Sequence, residues 1–139
     1  MRGTTMANSD HGTMQIGEVA TRTELSLRSL RHWDEVGLLR PSGRSEGGFR
    51  LYTEDDVERI LVIRRMKPLG FTLEQMRAVM VDIDTLRASA TGGPGAPEEV
   101  ETARLRLGEI AHEAAERRAK LERQLEMADE FIGILTAAM

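Results

Sequence analysis

The chain has 139 residues, of which 40% are hydrophobic and 4% are aromatic, and its formal net charge at pH 7 is −4. This length fits one domain, or a small domain with an appendage. Because the chain has no cysteine, disulfides, thiolate metal sites and iron–sulfur clusters are excluded, and since no run of 18 apolar residues occurs, no membrane-spanning segment is predicted.

The charge and the polarity are unevenly distributed along the chain. Residues 1–13 lack the apolar segment of a secretory signal and predict a disordered N-terminal tail. Residues 14–80 hold 11 basic and 10 acidic side chains, a net charge of +1, whereas residues 81–139 hold 7 and 12, a net charge of −5. A basic patch in the first part is compatible with the acidic total, because binding depends on local charge.

The first two predicted elements are short helices. In the segment MQIGEVATR, residues 14–22, the apolar side chains recur at helical spacing. After a short break, Ser26 suits the N-cap of a second helix, which Gly37 ends. Two short helices joined by a tight turn predict a helix-turn-helix.

The two faces of this second helix differ in chemistry. Its apolar residues, which predict a stripe packed on a small core, are Leu27, Leu30, Trp33 and Val36. Its polar residues, on the opposite arc, are Arg28, Arg31, His32 and Glu35. The helix therefore presents a largely basic face away from the core.

A basic hairpin is predicted next. Residues 40–52, RPSGRSEGGFRLY, combine turn-forming glycines with aromatic and aliphatic residues that favour extended structure. Arg44 and Arg50 lie near the predicted tip of this hairpin.

Two further helices are predicted from capping signals. Thr53 with Asp56, and Thr72 with Gln75, have the spacing of capping boxes. Apolar residues follow each box with a helical period. One predicted helix therefore lies on each side of Pro68.

The last part of the chain predicts one long helix. The composition changes at SATGGPGAP, residues 89–97, and we predict a linker over residues 85–97. Pro97 suits a first helical turn and no proline follows it. A helix over residues 98–139 would be about 60 Å long, which exceeds the diameter of a small domain.

Apolar residues recur every seventh position along this helix, with a shift in the middle of the repeat. These seam residues are Val100, Leu107, Ile110, Ala114, Leu121, Leu125, Ala128, Ile132 and Leu135. A domain this small cannot cover so long a stripe, so a second helix must cover it. We therefore predict a homodimer that forms through a coiled coil.

The basic second helix indicates nucleic-acid binding. A helix that exposes Arg28, Arg31 and His32 fits the major groove of DNA, where arginine contacts guanine edges or phosphates. Arg44 and Arg50 would reach the flanking backbone as a wing. A solvated helix face is the competing interpretation, which the combination of helices and basic hairpin makes less favourable.

Five sequence blocks resemble the MerR family of bacterial transcription regulators. They occur in order over residues 14–83 and read IGEVA, SLRSLR, WDEVGLLRP, RSEGGFRLYTEDDV and MKPLGFTLEQMR. The resemblance implies a mainly α fold, in which a winged helix-turn-helix domain over residues 14–84 precedes a dimerisation helix that pairs in antiparallel fashion. It also implies that the dimer binds an overlong promoter spacer and distorts it, at a cost on the order of several kcal/mol.

The predicted DNA contacts lie in the second helix, in the wing and in a second wing-like region, and the resemblance implies all of them except Ser26 and Arg31, which the second helix itself suggests. These residues are Ser26, Arg28, Ser29, Arg31, His32, Arg44, Arg50, Arg64 and Lys67. His32 stands where the family has an aromatic residue, and Glu24 stands in a turn where glycine is common, so the turn is expected to differ slightly in shape.

The implied partners are double-stranded promoter DNA, a second copy of the chain and RNA polymerase nearby on the promoter. A small-molecule effector is left open; no cofactor, metal or membrane is expected, and the implied location is the cytoplasm. Three alternatives remain: an effector-independent architectural or excisionase-like DNA-binding protein, a coiled-coil adaptor, and an enzyme. The last is disfavoured because no nucleophile–base pair or phosphate loop stands out.

Overall fold

The computed structural model describes residues 12–93 and 95–139. Apart from Gly12 and Thr13, the disordered tail predicted over residues 1–13 lies outside the described residues. The elements, in chain order, are β1 (Met14–Gln15), α1 (Ile16–Thr23), α2 (Leu27–Glu35), β2 (Gly43–Arg44), β3 (Arg50–Tyr52), α3 (Glu54–Met66), a 3-10 turn (Lys67–Leu69), α4 (Leu73–Ala90) and α5 (Pro97–Ala138). The described chain is therefore mainly helical, as predicted.

The chain divides into two compact units. The N-terminal unit extends to Arg77, and the C-terminal unit begins at Ala78. The helix-turn-helix domain that we predict over residues 14–84 thus extends a few residues beyond the first unit.

A small antiparallel sheet organises the N-terminal unit. Its strand order is β1-β3-β2, with Met14 opposite Tyr52 and Arg44 opposite Arg50. The predicted hairpin is confirmed. Strand β1 was not predicted, because two residues are too few to show the alternation that marks a strand.

Capping side chains start the helices where the sequence predicts them. The hydroxyl of Ser26 accepts a hydrogen bond from the backbone N–H of Ser29 at 3.0 Å. Thr53 and Asp56 form a reciprocal capping box, in which each side chain accepts from the backbone N–H of the other residue. These bonds satisfy backbone donors that a helix leaves unpaired at its N-terminus.

The core of the N-terminal unit lies between its helices and the sheet. Its fully buried large side chains are Val19, Thr23, Leu30, Tyr52, Ile60 and Ile63. Trp33 is also buried, as predicted, but Leu27 is 38% exposed and Val36 is only half-buried. The predicted apolar stripe of α2 is therefore too wide, because Leu27 is the first residue of the helix and extends past the core.

The turn between α1 and α2 is made by Glu24. This residue has φ 57° and ψ 34°, in the left-handed region, and its backbone N–H donates to the carbonyl of Ala20. Glutamate thus adopts here the conformation that glycine adopts without steric cost.

The linker is shorter than the predicted range of 85–97. Helix α4 continues to Ala90, and α5 begins at Pro97, so only residues 91–96 connect them. Residues 85–90 contain no glycine or proline that would stop a helix. The helix ends where Gly92, with φ 80°, supplies a left-handed residue.

Helix α5 is uninterrupted over 42 residues, which corresponds to about 60 Å. Its first half packs against α4 within the C-terminal unit: Ala103 is fully buried, and Arg106 donates to both carboxylate oxygens of Asp82, at 2.8 and 3.0 Å. From residue 121 onward every residue of the helix is exposed.

Candidate nucleic-acid interface

The polar face of α2 forms one wall of an open groove of about 780 Å³. The groove residues are Arg28, Ser29, Arg31, His32, Trp33, Glu35 and Lys67. Lys67 comes from the 3-10 turn, far along the sequence from α2. The fold thus brings together five side chains that the sequence assigns to DNA binding.

The cations of this groove are available to a ligand. Arg28, Arg31 and Lys67 are exposed, and none of them forms an ion pair with any residue that the structure describes. Guanidinium groups that keep their donors free can contact guanine O6 and N7 or a phosphate.

Ser26, by contrast, is engaged in the fold. Its hydroxyl accepts from the backbone of Ser29 and also donates to the Ser29 hydroxyl, at 3.0 Å in each case. Its first role is therefore to cap α2 and so to hold the basic face in place.

The two hairpin arginines both contact Asp34 of α2. Arg50 Nε donates to Asp34 Oδ2 at 2.8 Å, and Arg44 Nη2 reaches the same oxygen at 3.4 Å. The hydrogen bond that Arg50 donates to Asp34 raises the pKa of Arg50 above its usual value. The arginines predicted to be free wing contacts are thus bound to a carboxylate within the chain.

Asp34 is a residue of this site that the sequence did not predict. Its side chain is only 9% exposed, and it follows the buried Leu30 by one helical turn. A charged residue at a core-facing position of an amphipathic helix must have a partner. In the sequence, an aspartate at a core-facing helix position close to a hairpin with two arginines is the signal that could predict this pairing.

Arg64 lies on α3 in an exposed ion pair. Its Nη2 is 3.4 Å from Glu24 Oε1, and the two side chains are 41% and 78% exposed. An exposed pair of this kind contributes little stability and is easily exchanged. Arg64 therefore keeps the capacity to contact a phosphate.

The predicted dimerisation residues fall into two groups along α5. Val100, Leu107, Ile110 and Ala114 are half-buried. In the second group Leu121 is 48% exposed, Leu125 62%, Ile132 59% and Leu135 46%, and Ala128 is exposed too. At 3.6 residues per turn, this second group lies within an arc of about 80° on one face of the helix.

Other sites are not apparent in the described part of the chain. Across residues 12–93 and 95–139, no group of three or more His, Asp or Glu side chains could hold a metal ion. None of the helices in these ranges has both the length and the apolar character needed to cross a bilayer.

Comparison with known proteins supports the resemblance seen in the sequence. The model of the MerR HTH family of regulatory proteins matches residues 14–82. The HTH-type transcriptional regulator CueR of Vibrio cholerae is 35% identical over 98 residues, which are 70% of either chain.

Two other relatives match over a smaller share of their length. An uncharacterised HTH-type transcriptional regulator of Pseudomonas aeruginosa is 40% identical over 78 residues, 55% of this chain and 59% of the relative. The nodulation protein NolA of Bradyrhizobium elkanii is 41% identical over 66 residues, 48% of this chain and 30% of NolA. The chain thus spans less than two thirds of these two relatives.

Among solved structures, the fold matches HiNmlR, a MerR family regulator that lacks the sensor domain and was crystallised bound to promoter DNA. The TM-score is 0.66 at 21% identity, over 91% of this chain and 92% of that one. A putative MerR family regulator from Listeria monocytogenes gives a TM-score of 0.65 at 21% identity, over 86% and 83% of the two chains. At these identities the likeness concerns the fold, and it agrees with a winged helix-turn-helix followed by a long helix. The family model matches residues 14–82 and CueR is 35% identical over 70% of either chain. The chain therefore belongs to the MerR family of helix-turn-helix regulatory proteins.

Proposed function

We propose that this chain is a transcription regulator of the cytoplasm that binds promoter DNA as a homodimer. The observation that carries the proposal is the groove of α2, where Arg28, Arg31 and Lys67 are exposed and have no ion-pair partner among the described residues. The sequence matches are to transcriptional regulators, and the family is one of regulatory proteins, so we propose no enzymatic activity.

In the proposed complex, α2 enters the major groove. Its nine residues present Arg28 and Arg31 one turn apart on the exposed face, where arginine reads guanine or holds a phosphate. Lys67 and Arg64 contact the backbone beside the groove, and the hairpin of β2 and β3 reaches the flanking backbone. Phosphate contacts fix the orientation of the domain, and contacts to base edges provide the specificity.

The proposed dimer forms through the seam of α5. Leu121, Leu125, Ile132 and Leu135 are between 46% and 62% exposed, and an apolar stripe of this length is typical of an interaction surface. Over residues 121–139 the charged side chains are Glu122, Arg123, Glu126, Asp129 and Glu130, a net charge of −3.

We propose that the two helices pair in antiparallel fashion, as the resemblance to the MerR family implies. Two-fold symmetry then presents two copies of α2 to one duplex.

The same arrangement lets the dimer deform DNA. Binding energy from the phosphate contacts of two domains can offset a distortion that costs on the order of several kcal/mol. We propose that the dimer bends and untwists a promoter spacer and in this way controls access by RNA polymerase. HiNmlR, which shares the fold, was crystallised on promoter DNA.

A salt series on two duplexes tests the proposal. The full chain is titrated by fluorescence anisotropy against the promoter of its own gene and against a random duplex. We expect tighter binding to the promoter, with the logarithm of the affinity falling linearly against the logarithm of salt concentration, by about 0.9 per phosphate contact.

Arg28→Ala combined with Arg31→Ala should abolish the preference for the promoter, whereas Arg65→Ala, on the exposed side of α3, serves as the matched control. Footprinting should show protection of a spacer with hypersensitive central bases. A dimer that binds neither duplex at low salt would refute the proposal and favour a coiled-coil adaptor.

A further inference from the structure

Asp34 is the one acidic side chain in the described part of α2 that faces the hairpin. Its side chain is 9% exposed, and its Oδ2 atom is contacted by Arg50 at 2.8 Å and by Arg44 at 3.4 Å. This carboxylate takes no part in the groove formed by the opposite face of α2. Its position between the helix and the hairpin requires a separate explanation.

The register of the hairpin shows why a carboxylate is needed there. Arg44 and Arg50 are directly opposite each other on β2 and β3, and like charges in that arrangement destabilise a two-stranded ladder. A single oxygen of Asp34 lies within reach of both guanidinium groups. Asp34 therefore neutralises a repulsion that the hairpin would otherwise contain.

The two arginines are held to different extents. The Arg50 side chain is 24% exposed and forms the shorter bond, whereas the Arg44 side chain is 50% exposed and forms the longer one. Arg44 also donates to the carbonyl of Gly48 at 3.1 Å, within the hairpin turn. Arg50 is thus held by a partly buried, short ion pair, while Arg44 is half in solvent.

We propose that Asp34 is an internal substitute for a DNA phosphate, which holds Arg44 in the free protein and releases it to the DNA backbone on binding, while Arg50 stays bound and positions the hairpin. Carboxylate and phosphate both offer anionic oxygen acceptors to a guanidinium group. An arginine can therefore exchange a carboxylate partner for a phosphate. This inference rests on the proposed DNA-binding function.

The exchange leaves no buried charge without a partner. When Arg44 moves to a phosphate, the Arg50 Nε bond to Asp34 Oδ2 remains. A buried carboxylate that lost both partners would carry a large desolvation penalty. Because two arginines share one acceptor, the more exposed arginine can be released without leaving the carboxylate unpaired.

The salt dependence of DNA binding separates the two arginines. Arg44→Ala should reduce the slope of log affinity against log salt by about 0.9, the value of one phosphate contact, on a random duplex. Arg50→Ala alone should lower the slope too, because Asp34 would then retain Arg44 as its remaining partner. Added to Arg44→Ala, however, Arg50→Ala should lower the slope no further, because Arg50 contacts Asp34 and not the DNA. These two variants carry the test even if substitutions at Asp34 reduce folding.

Asp34→Asn tests the competition directly. It keeps the shape of the side chain and removes its charge, so Arg44 no longer has to leave an ion pair, and affinity for the random duplex should rise by about two- to fivefold. Glu58→Gln is the control, since it removes the same charge from an exposed residue of α3 that does not line the groove. In an Arg44→Ala background, Asp34→Asn should have no more effect than Glu58→Gln.

A further loss of slope when Arg50→Ala is added to Arg44→Ala would overturn the inference, because both arginines would then contact phosphates. So would an unchanged slope in Arg44→Ala, which would mean that Asp34 keeps Arg44 in the complex. In either case the wild-type chain would still bind DNA, so the proposed function would stand. Failure of the wild-type chain to bind any duplex would instead refute the proposed function itself.

Discussion

The N-terminal unit and the last part of α5 have similar apolar side chains in opposite surroundings. In the N-terminal unit Leu30 is 1% exposed and Ile60 is fully buried, whereas Leu121 is 48% and Ile132 59% exposed. Both regions repeat their apolar residues at helical spacing. Periodicity therefore shows which residues share a face, but what covers that face depends on the rest of the chain or on a partner. The first region folds on itself, and the second is what we expect of a surface completed by another molecule.

Trp33→Ala should produce the largest effect, because Trp33 is buried by other residues of the same chain. Trp33 is 3% exposed, and its truncation leaves a cavity that typically costs about 3–5 kcal/mol. Urea denaturation followed by circular dichroism measures this loss. Leu27→Ala, on the same helix but 38% exposed, should cost about 1 kcal/mol or less. Similar losses in the two variants would contradict the assignment of Trp33 to the core.

Leu121→Glu places a charge in the apolar seam that we propose a second copy of the chain buries. A charge in the seam of a coiled coil should turn the dimer into a monomer and, since both half-sites are then bound independently, weaken promoter binding by about a hundredfold or more. Multi-angle light scattering reports the mass. Leu105→Glu is the control, because Leu105 is 64% exposed and lies on the face opposite to the seam. A Leu121→Glu variant that remains dimeric would show that the seam is misplaced.

Arg28→Ala should separate DNA binding from dimerisation. If Arg28 reads a base, its loss should weaken specific binding by about 1–3 kcal/mol and leave the dimer intact. Titration of the promoter and of a random duplex, together with light scattering, measures the two properties. A loss of equal size on both duplexes would identify Arg28 as a phosphate contact.

Glu24→Gly should have the smallest effect and the opposite sign. Glycine tolerates the left-handed conformation of Glu24 (φ 57°) without steric cost, so the substitution should stabilise the N-terminal unit by up to about 1 kcal/mol. Glu24→Ala removes the carboxylate and keeps the Cβ atom, and it should give no such gain. Thermal melts of the three proteins provide the comparison. Equal melting temperatures in the glycine and alanine variants would mean that the backbone conformation carries no strain.

The sequence predicted the elements that depend on local signals. Ser26, Thr53 and Asp56 form their caps within three or four residues, so the pattern alone located the starts of the helices. The hairpin followed from its glycines, and the long helix from the absence of helix breakers after Pro97. The family resemblance supplied the way in which these elements are combined.

The features that the sequence did not predict depend on contacts between distant segments. Strand β1 exists because Met14 pairs with Tyr52, and no local pattern marks it. The predicted linker begins too early, at residue 85, because residues 85–90 carry no helix breaker and α4 ends only at Ala90, before Gly92. The pairing of Asp34 with Arg44 and Arg50 arises only when the hairpin folds against α2, so the arginines were expected to be free.

In the proposed antiparallel pair, the unbroken length of α5 sets the distance between the two Pro97 ends. Along a helix each residue advances by 1.5 Å, so in an antiparallel pair a slip of one heptad would move the two Pro97 ends relative to each other by about 10 Å. That distance is close to the rise of three base pairs of duplex DNA, about 3.4 Å each. In the proposed dimer, one half-site spacing of the operator would therefore match one register of the helix pair.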